Sequence, residues 1–260
     1  MINTIINAIA QKKKVAVMLS GGLDSAVLAK LAHEALGERA LAITIESPIV
    51  AFNEIEDAMK IAREIGMAHE IIPMNELDDR EFATNQPNRC YICRKLRNRA
   101  ARDVANQFAI ETLADGMNHD DLKDYRPGKK AADEDNIWHP FVDLKLSKQV
   151  VRQLARDLKL TLSDKHSEAC LCSRIAYGIN MNQELLERIE KAEAVLKGFC
   201  RGPLRVRCLP YDLAMIDAAD QEGAMRAKDT IVSALRELGF AFVCLDLEGF
   251  VSGKLNRIIT

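Results

Sequence analysis

Apolar and polar positions follow two patterns in the first half of the chain. Short continuous apolar runs are typical of strands buried on both faces, and apolar residues every three or four positions are typical of amphipathic helices. The predicted strands cover 15–19, 40–45, 69–73 and 111–114. The predicted helices cover 26–36, 53–65, 91–108 and 147–158, the last with Ser147 as N-cap. Strands separated by helices predict an α/β fold with a parallel sheet flanked by helices.

The order of predicted strands and helices changes after about residue 162. A predicted helix at 183–197 is followed by a short strand at 204–209, a mostly helical stretch at 219–238 and a strand at 240–245. This succession predicts a smaller α+β domain. We therefore expect two domains, 1–162 and 163–260. The polar stretch 123–136 is predicted to be a mobile loop.

Composition narrows the class of protein. The chain has 260 residues, with 36 basic against 38 acidic side chains, so it has no electrostatic footprint for nucleic acid. No apolar run reaches membrane-spanning length, and the first 14 residues contain no signal-peptide core. We expect a cytoplasmic protein without a membrane partner. Its seven cysteines then indicate metal binding or catalysis rather than disulfides.

The sequence SGGLDS at 20–25 joins the first predicted strand to the first predicted helix. Gly21 and Gly22 allow a tight turn, and the free N–H groups of a helix start favour an anion. Ser20 and Ser25 add hydroxyl donors, whereas Asp24 is suited to holding Mg²⁺ or orienting the loop. The spacing fits neither a Walker loop nor a dinucleotide fingerprint.

This hexapeptide resembles the PP-loop of ATP pyrophosphatases, which adenylate an oxygen and let a nitrogen or sulfur nucleophile displace AMP. Further segments resemble, in order and over nearly the whole chain, the LarE family of that superfamily: 115–121, 124–128, 169–174, 177–178, 205–207 and 245–250. LarE proteins are ATP-dependent sulfur transferases. They convert the carboxylates of a pyridinium dicarboxylate mononucleotide to thiocarboxylates, on the way to the nickel-pincer nucleotide cofactor of lactate racemase.

The resemblance implies a PP-loop fold, ATP and Mg²⁺ as cofactors, and catalytic roles for Ser20, Asp24 and Cys170. Gly116, Asn118 and Asp120 follow a predicted strand. The two polar side chains could hold the nucleotide or metal, or form a turn with Asx hydrogen bonds, and both interpretations stay open. Gly116 favours close backbone approach.

Arg205 and Arg207 alternate on a predicted strand, so their side chains lie on one face. Two guanidiniums on one face suit a phosphate or carboxylate, although a solvated strand face has the same pattern. By resemblance they bind the phosphate of the nucleotide substrate, with Arg174 and Asp217 also at the active site. The family usually has His at the position of Cys208 and Arg at that of Met215.

Four cysteines form two close pairs, Cys90/Cys93 and Cys170/Cys172. By resemblance, Cys170 carries the transferred sulfur. One LarE type sacrifices this sulfur and leaves dehydroalanine. The other binds a [4Fe-4S] cluster through a Cys-x-x-Cys and the downstream cysteine, which leaves one iron open for a hydrosulfide. We expect the cluster type, with Cys90, Cys93 and Cys170 as ligands. A zinc site completed by Cys172, a redox pair and plain thiols are the alternatives.

Cys200, Cys208 and Cys244 are predicted core residues. The competing functions are a tRNA thiolase with a three-cysteine cluster, an amide-forming synthetase using ammonia, and a non-catalytic nucleotide sensor. No additional Cys-x-x-Cys pair and no glutaminase segment is visible. The expected partners are the pyridinium mononucleotide and a sulfide or sulfur donor, and the resemblance implies a homo-oligomer.

Overall fold

The computed structural model describes residues 1–123, 127–161 and 169–259, with the side chains of Phe52 and Lys123 left aside. Its internal contacts divide the chain into two compact units, Met1–Asn75 with Cys90–Glu168 and Glu76–Arg89 with Ala169–Thr260. The predicted boundary at 162/163 lies outside the described residues and stays a prediction. Asp124, Tyr125 and Arg126, quoted for the family resemblance, lie outside them as well.

The elements are numbered in chain order. The strands are β1 Val15–Met18, β2 Ala40–Glu46, β3 Ala68–Pro73, β4 Thr112–Ala114, β5 Leu204–Leu209, β6 Leu213–Ala218 and β7 Phe242–Leu245. The helices of the described residues are α1 Ile2–Ala10, α2 Leu23–Leu36, α3 Phe52–Ile65, α4 Arg80–Ala83, α5 Arg89–Gln107, α6 Pro127–Glu134, α7 Pro140–Asp143, α8 Lys148–Asp157, α9 Gln183–Lys197, α10 Gln221–Arg226 and α11 Lys228–Glu237.

The first unit is built on a parallel sheet with strand order β3-β2-β1-β4. The register aligns Val15 of β1 with Ala40 of β2 and with Thr112 of β4. β1 carries fully buried apolar residues on both faces, because helices cover both sides of a parallel sheet. The carboxyl ends of these strands share one edge, where open α/β sheets bind their ligands. The predicted fold class is confirmed.

Helix α2 lies in the centre of this unit, and most of its side chains are buried. Its alanines let it pack closely against the sheet, α1 and α8. Helix α1, which buries Ile5 and Ile9, was not predicted from the sequence. The loop prediction for 123–136 was wrong, because α6 occupies Pro127–Glu134. This polar helix buries Ala131 and Ala132 and pairs Lys129 with Asp133 at 2.5 Å.

The second unit contains a three-stranded sheet of order β5-β6-β7, in which β5 and β6 are antiparallel and β6 and β7 are parallel. Strand β6 was not predicted. The segment Glu76–Arg89 belongs to this unit and packs against it through Asn85. The side-chain amide of Asn85 donates to the Ala176 carbonyl at 2.8 Å, and its backbone carbonyl accepts from Gly178 N at 3.1 Å.

Cys200 and Cys208 are buried as predicted, but Cys244 is exposed. It lies on β7, which among the described residues pairs with β6 alone and so forms an edge of the second sheet. The prediction of a core position for Cys244 was therefore wrong. Within the described ranges, no helix combines the length and the apolar character needed to cross a bilayer.

Candidate active site

The loop after β1 is held in shape by the hydroxyl of Ser25. This hydroxyl donates to the Gly22 carbonyl at 2.9 Å and accepts from the backbone N–H of Ser20 at 3.2 Å. The hydroxyls of Ser20 and Ser25 also lie 3.2 Å apart. The N-terminus of α2 follows at Leu23, so its first N–H groups lie beside these hydroxyls. This is an arrangement of donors that suits phosphate oxygens.

Two glycines let three segments meet at this loop. Gly21 has φ +76°, and a Cβ there would lie 2.2 Å from the Glu54 carbonyl oxygen of α3. A Cβ on Gly116 would lie 2.6 Å from the backbone of Asp24 and Ser25 at the start of α2. Both glycines are thus required by contacts within the protein. For Gly116, the expected close backbone approach is an approach to α2.

A cavity of about 300 Å³ opens at this edge of the sheet. Its lining combines apolar side chains with hydroxyl, carboxylate and guanidinium groups. The apolar members include Ile43, Ile45, Val50 and Ile55, and the polar members include Ser20, Asp24, Ser25, Arg94, Arg97 and Asp115. Such a lining suits a nucleotide, whose base is largely apolar and whose phosphates are charged.

Asp24 presents one carboxylate oxygen without a partner. Its Oδ2 accepts from Lys148 Nζ at 2.5 Å and from Asn118 Nδ2 at 3.4 Å. Its Oδ1 is buried and has no hydrogen-bond partner among the described residues. Burial raises the pKa of Asp24 despite the nearby ammonium group of Lys148. An unsatisfied carboxylate oxygen at a phosphate-binding loop fits Mg²⁺, which is usually held by one or two carboxylates plus phosphates and water.

Asn118 and Asp120 make the contacts of a turn. Asn118 Oδ1 accepts from the backbone N–H of Asp120 at 3.0 Å, and Asp120 Oδ2 accepts from the backbone N–H of Lys148 at 2.9 Å. Ser147 caps α8, as predicted, by accepting from Val150 N. These contacts hold Lys148 beside Asp24. A direct role of Asn118 or Asp120 toward nucleotide or metal stays a prediction.

Asp115 forms a buried ionic group at the end of β4. Arg94 Nη2 donates to its Oδ2, His139 Nδ1 lies 2.6 Å from its Oδ1, and Met117 N donates to the same oxygen at 3.0 Å. Burial opposes ionisation of Asp115, but the positive charge of Arg94 and the hydrogen bond with His139 outweigh it, so the pKa falls to about 2. Asp115 is thus a fixed negative charge that orients Arg94.

In the second unit, Arg174 and Arg207 are each tied to a buried carboxylate. Arg174 makes a two-pronged pair with Glu193, with distances of 2.9 and 3.1 Å. Its Nη1 also donates to the Cys170 carbonyl at 3.1 Å, which fixes the backbone beside that cysteine. Arg207 Nε donates to Asp217 Oδ2 at 2.8 Å, and both side chains are almost fully buried. Arg174 thus holds the backbone at Cys170, and Arg207 and Asp217 form a buried ion pair, while a role of these three residues toward the substrate stays a prediction.

Arg174, Arg205 and Arg207 form the arginine cluster of the second unit, and Arg205 differs from the other two in its partners. It is 6% exposed, and its guanidinium lies over the ring of Phe250 at 5.1 Å. No ion pair links it to a carboxylate within the described residues. Burial, and then the charges of Arg174 and Arg207, lower the pKa of Arg205 to about 10. Arg205 is thus a buried guanidinium beside two others, and its predicted role in binding a phosphate or carboxylate stays a prediction.

The paired cysteines occupy different surroundings. Cys90 and Cys93 lie in the first turn of α5, where positions three apart share a face, and they are exposed and half-buried respectively. Cys170 is half-buried and precedes a short 3₁₀ turn at Leu171–Arg174, whereas Cys172 in that turn is buried. Cys90 and Cys93 belong to the first unit and Cys170 to the second. Over the described ranges, no group of three His, Cys, Asp or Glu side chains is arranged to hold a metal ion.

Comparison with known proteins finds relatives that match both units of the chain. The NAD synthase family matches residues 1–113. An uncharacterized protein from Synechocystis sp. is 38% identical over 94% of this chain and 92% of its own length. The pyridinium-3,5-bisthiocarboxylic acid mononucleotide synthase of Lactiplantibacillus plantarum is 30% identical over 99% of this chain and 94% of its own length. The chain belongs to the LarE family.

Membership of the LarE family explains why a nucleotide-sized cavity and an arginine cluster occur in one chain. The protein is an ATP-dependent, sulfur-transferring enzyme of the PP-loop type, which uses ATP and Mg²⁺. The NAD synthase match ends at residue 113, before the arginine cluster, so it concerns the ATP-binding part. The L. plantarum LarE protein matches the second unit as well.

Three residues that pair with predicted site residues or with Asp115 were missed by sequence reasoning. Lys148 directly follows the N-cap Ser147, and Arg94 directly follows Cys93, but nothing in the sequence indicates that they meet Asp24 and Asp115. Glu193 could have been found. It occupies an apolar position of the amphipathic pattern of α9, and a charged residue on a buried face requires a partner.

Proposed function

We propose that the protein adenylates a carboxylate of a pyridinium dicarboxylate mononucleotide and exchanges AMP for sulfur, which yields a thiocarboxylate for nickel-pincer nucleotide biosynthesis. The observation that carries the proposal is the buried guanidinium of Arg205, which forms no ion pair within the described residues. A PP-loop alone is compatible with amide synthesis or thiolation, whereas a buried guanidinium without an ion pair among the described residues of the second unit favours a substrate that carries a phosphate or carboxylate. The relative from L. plantarum is named for such a substrate.

In the first step, a carboxylate oxygen of the substrate attacks the α-phosphorus of ATP. The new O–P bond forms while the bond from the α-phosphorus to the bridging oxygen breaks, and pyrophosphate leaves. The donors at the loop, the Ser20 and Ser25 hydroxyls and the start of α2, stabilise the charge on the phosphates. Asp24 Oδ1 would hold Mg²⁺, which supplies further positive charge on the pyrophosphate side when bound.

In the second step, a sulfur nucleophile attacks the activated carboxyl carbon. The C–S bond forms, the bond from carbon to the AMP oxygen breaks, and AMP leaves. Arg205 would hold the substrate phosphate throughout, and the contact from Arg174 to the Cys170 carbonyl would keep the backbone at this cysteine in place.

We propose that the sulfur reaches the substrate by way of a [4Fe-4S] cluster held by Cys90, Cys93 and Cys170. The donor set fits in type, because thiolates at i and i+3 of a helix start can clasp neighbouring irons. The proposal requires the two units to bring the third thiolate to this pair. When bound, the cluster would supply a position for inorganic sulfide. The alternative route breaks the Cβ–S bond of Cys170 and leaves dehydroalanine.

The adenylation step can be tested by measuring pyrophosphate release with MgATP and pyridinium-3,5-dicarboxylic acid mononucleotide. We expect release that depends on this substrate. Arg205→Ala should raise KM for the mononucleotide about tenfold to a hundredfold, because a charge-assisted hydrogen bond is lost, while KM for ATP stays the same. Arg201→Ala, at an exposed position nearby in sequence, is the matched control. Equal KM values for Arg205→Ala and Arg201→Ala would contradict the proposed substrate site.

A further inference from the structure

One face of α5 combines the cysteine pair with two guanidiniums. Cys90, Cys93, Arg94 and Arg97 occupy positions i, i+3, i+4 and i+7, which share a helix face. Arg94 and Arg97 line the cavity at the phosphate loop.

Two other side chains of α5, Tyr91 and Lys95, contact the C-terminal end of α6. Tyr91 donates to Glu134 at 2.5 Å, and Lys95 pairs with Glu134 at 3.5 Å and with Asp135. These contacts fix the rotation of α5 about its axis. They therefore fix the direction in which the Arg94 side chain points.

Arg94 has a donor with no acceptor. Its Nη2 is bonded to Asp115, but its Nε is buried and lacks a hydrogen-bond partner within the part of the chain that the structure describes. Buried N–H groups of proteins nearly always have an acceptor, and leaving one unsatisfied costs free energy. The guanidinium cannot turn away to find one without breaking its pair with Asp115, which is itself held by His139 and by Met117 N.

A guanidinium with an unused donor at the wall of a nucleotide-sized cavity suits a phosphate group, because its fork of N–H donors matches phosphate oxygens. We propose that Arg94 is a phosphate-binding residue for ATP, held in place for this purpose by Asp115. This inference rests on the proposed function, since it requires ATP in the cavity. Asp115 is then a positioning residue that acts through Arg94.

The test is isothermal titration calorimetry with Mg²⁺ and α,β-methylene-ATP, which cannot be cleaved at the relevant bond. Arg94→Gln should weaken the Kd about tenfold to a hundredfold, the range of a lost charge-assisted hydrogen bond. Lys95→Gln, one residue further along α5 and directed toward α6, is the matched control and should change the Kd less than about twofold. An Arg94→Gln protein that binds as tightly as wild type would overturn the inference.

A double variant separates phosphate binding from simple neutralisation of Asp115. If Arg94 binds phosphate, Arg94→Gln combined with Asp115→Asn should bind as weakly as Arg94→Gln alone. Recovery of wild-type affinity in the double variant would overturn the inference, because Arg94 would then serve only Asp115. If Arg94→Gln does not fold, Arg94→Lys carries the test. It keeps a charge for Asp115 and loses the fork, so affinity should fall about threefold to tenfold, and unchanged affinity would overturn the inference.

The wild-type titration distinguishes a failure of the proposed Arg94 role from a failure of the proposed function. If wild-type protein binds the analogue and Arg94→Gln binds it equally, only the role of Arg94 is wrong. If wild-type protein does not bind the analogue, the ATP site of the proposed function fails, and the role of Arg94 fails with it.

Discussion

At the scale of single residues, the site contains a side chain that is poorly placed for stability and well placed for function. Asp24 is half-buried, and its buried oxygen Oδ1 has no hydrogen-bond partner within the described ranges. Burial raises its pKa. A carboxyl group with a raised pKa stabilises the fold only while protonated, and this contribution is lost as the pH rises through that pKa. At neutral pH the ionised Asp24 therefore costs stability, which a bound cation would offset.

Asp24→Asn should therefore separate stability from activity. In the absence of ligands at pH 7, we expect a melting temperature equal to or above that of wild type, with the difference shrinking as the pH falls toward the carboxyl range. ATP-dependent pyrophosphate release should fall by a factor on the order of 100 or more, because the Mg²⁺ ligand is lost. Asp103→Asn, on an exposed position of α5, is the control for both measurements. A clear loss of stability in Asp24→Asn at pH 7 would contradict this interpretation.

Asp115 has the opposite dependence on pH. Its pKa is lowered from 3.8 to about 2, so its contribution is fully present above the ordinary value and is lost as the pH falls through about 2. This shift corresponds to about 2 kcal/mol of unfolding free energy. Asp115→Asn should therefore lower stability at pH 7 and flatten the acid side of a denaturant-derived stability curve between about pH 4 and pH 2. An acid limb as steep as that of wild type would show that the Arg94–Asp115 pair contributes little.

At the scale of elements, the strands and helices predicted from apolar patterns lie within a few residues of their positions in the structure. Buried apolar runs such as Val15–Met18 are predictable, because a strand covered on both faces tolerates few polar residues. The pattern failed where burial is slight. Helix α6 is mostly polar, with two buried alanines, and Cys244 lies on an edge strand that looks like a core strand from its composition.

The partners of the charged residues could not be predicted from the sequence. Lys148 lies 124 positions from Asp24, and Arg94 lies 21 positions from Asp115. Such pairs depend on which strand ends share an edge of the sheet, and no local pattern contains this information. The phosphate loop was predictable as a motif, because its glycines and hydroxyls act within six consecutive residues.

The proposed cluster ligands near the start of α5 lead to a prediction about the iron content of the protein. After anaerobic reconstitution, wild-type protein should contain about four irons per chain. Cys90→Ala and Cys93→Ala should lose this iron and the acid-labile sulfide and keep their affinity for α,β-methylene-ATP, because the thiolates are ligands of the cluster and not of the nucleotide. The control is Cys244→Ala, which removes an exposed thiol from the other unit and should keep the iron. Full iron content in both α5 variants would contradict the proposed ligand set.

At the scale of the whole molecule, the proposed activation and substrate-binding functions belong to different units. The parallel-sheet unit contains the cavity, the phosphate loop and the cysteine pair of α5, and the mixed-sheet unit contains Cys170 and the arginine cluster. Each unit has its own buried residues, and each contains buried ion pairs, Arg94–Asp115 in the first and Arg207–Asp217 in the second. Under the proposed function, Arg205 of the second unit would direct activation chemistry common to many PP-loop enzymes to one class of substrate.

The central claim is that ATP drives sulfur insertion into a pyridinium mononucleotide. Its most direct test is mass spectrometry of product and protein after anaerobic incubation of reconstituted enzyme with MgATP, sulfide and pyridinium-3,5-dicarboxylic acid mononucleotide. We predict a thiocarboxylate product in molar excess over the protein, with the side chain of Cys170 intact. Absence of thiolated product with fully loaded enzyme would contradict the claim. Product limited to one per chain, with dehydroalanine at position 170, would contradict the cluster route and establish the sacrificial one.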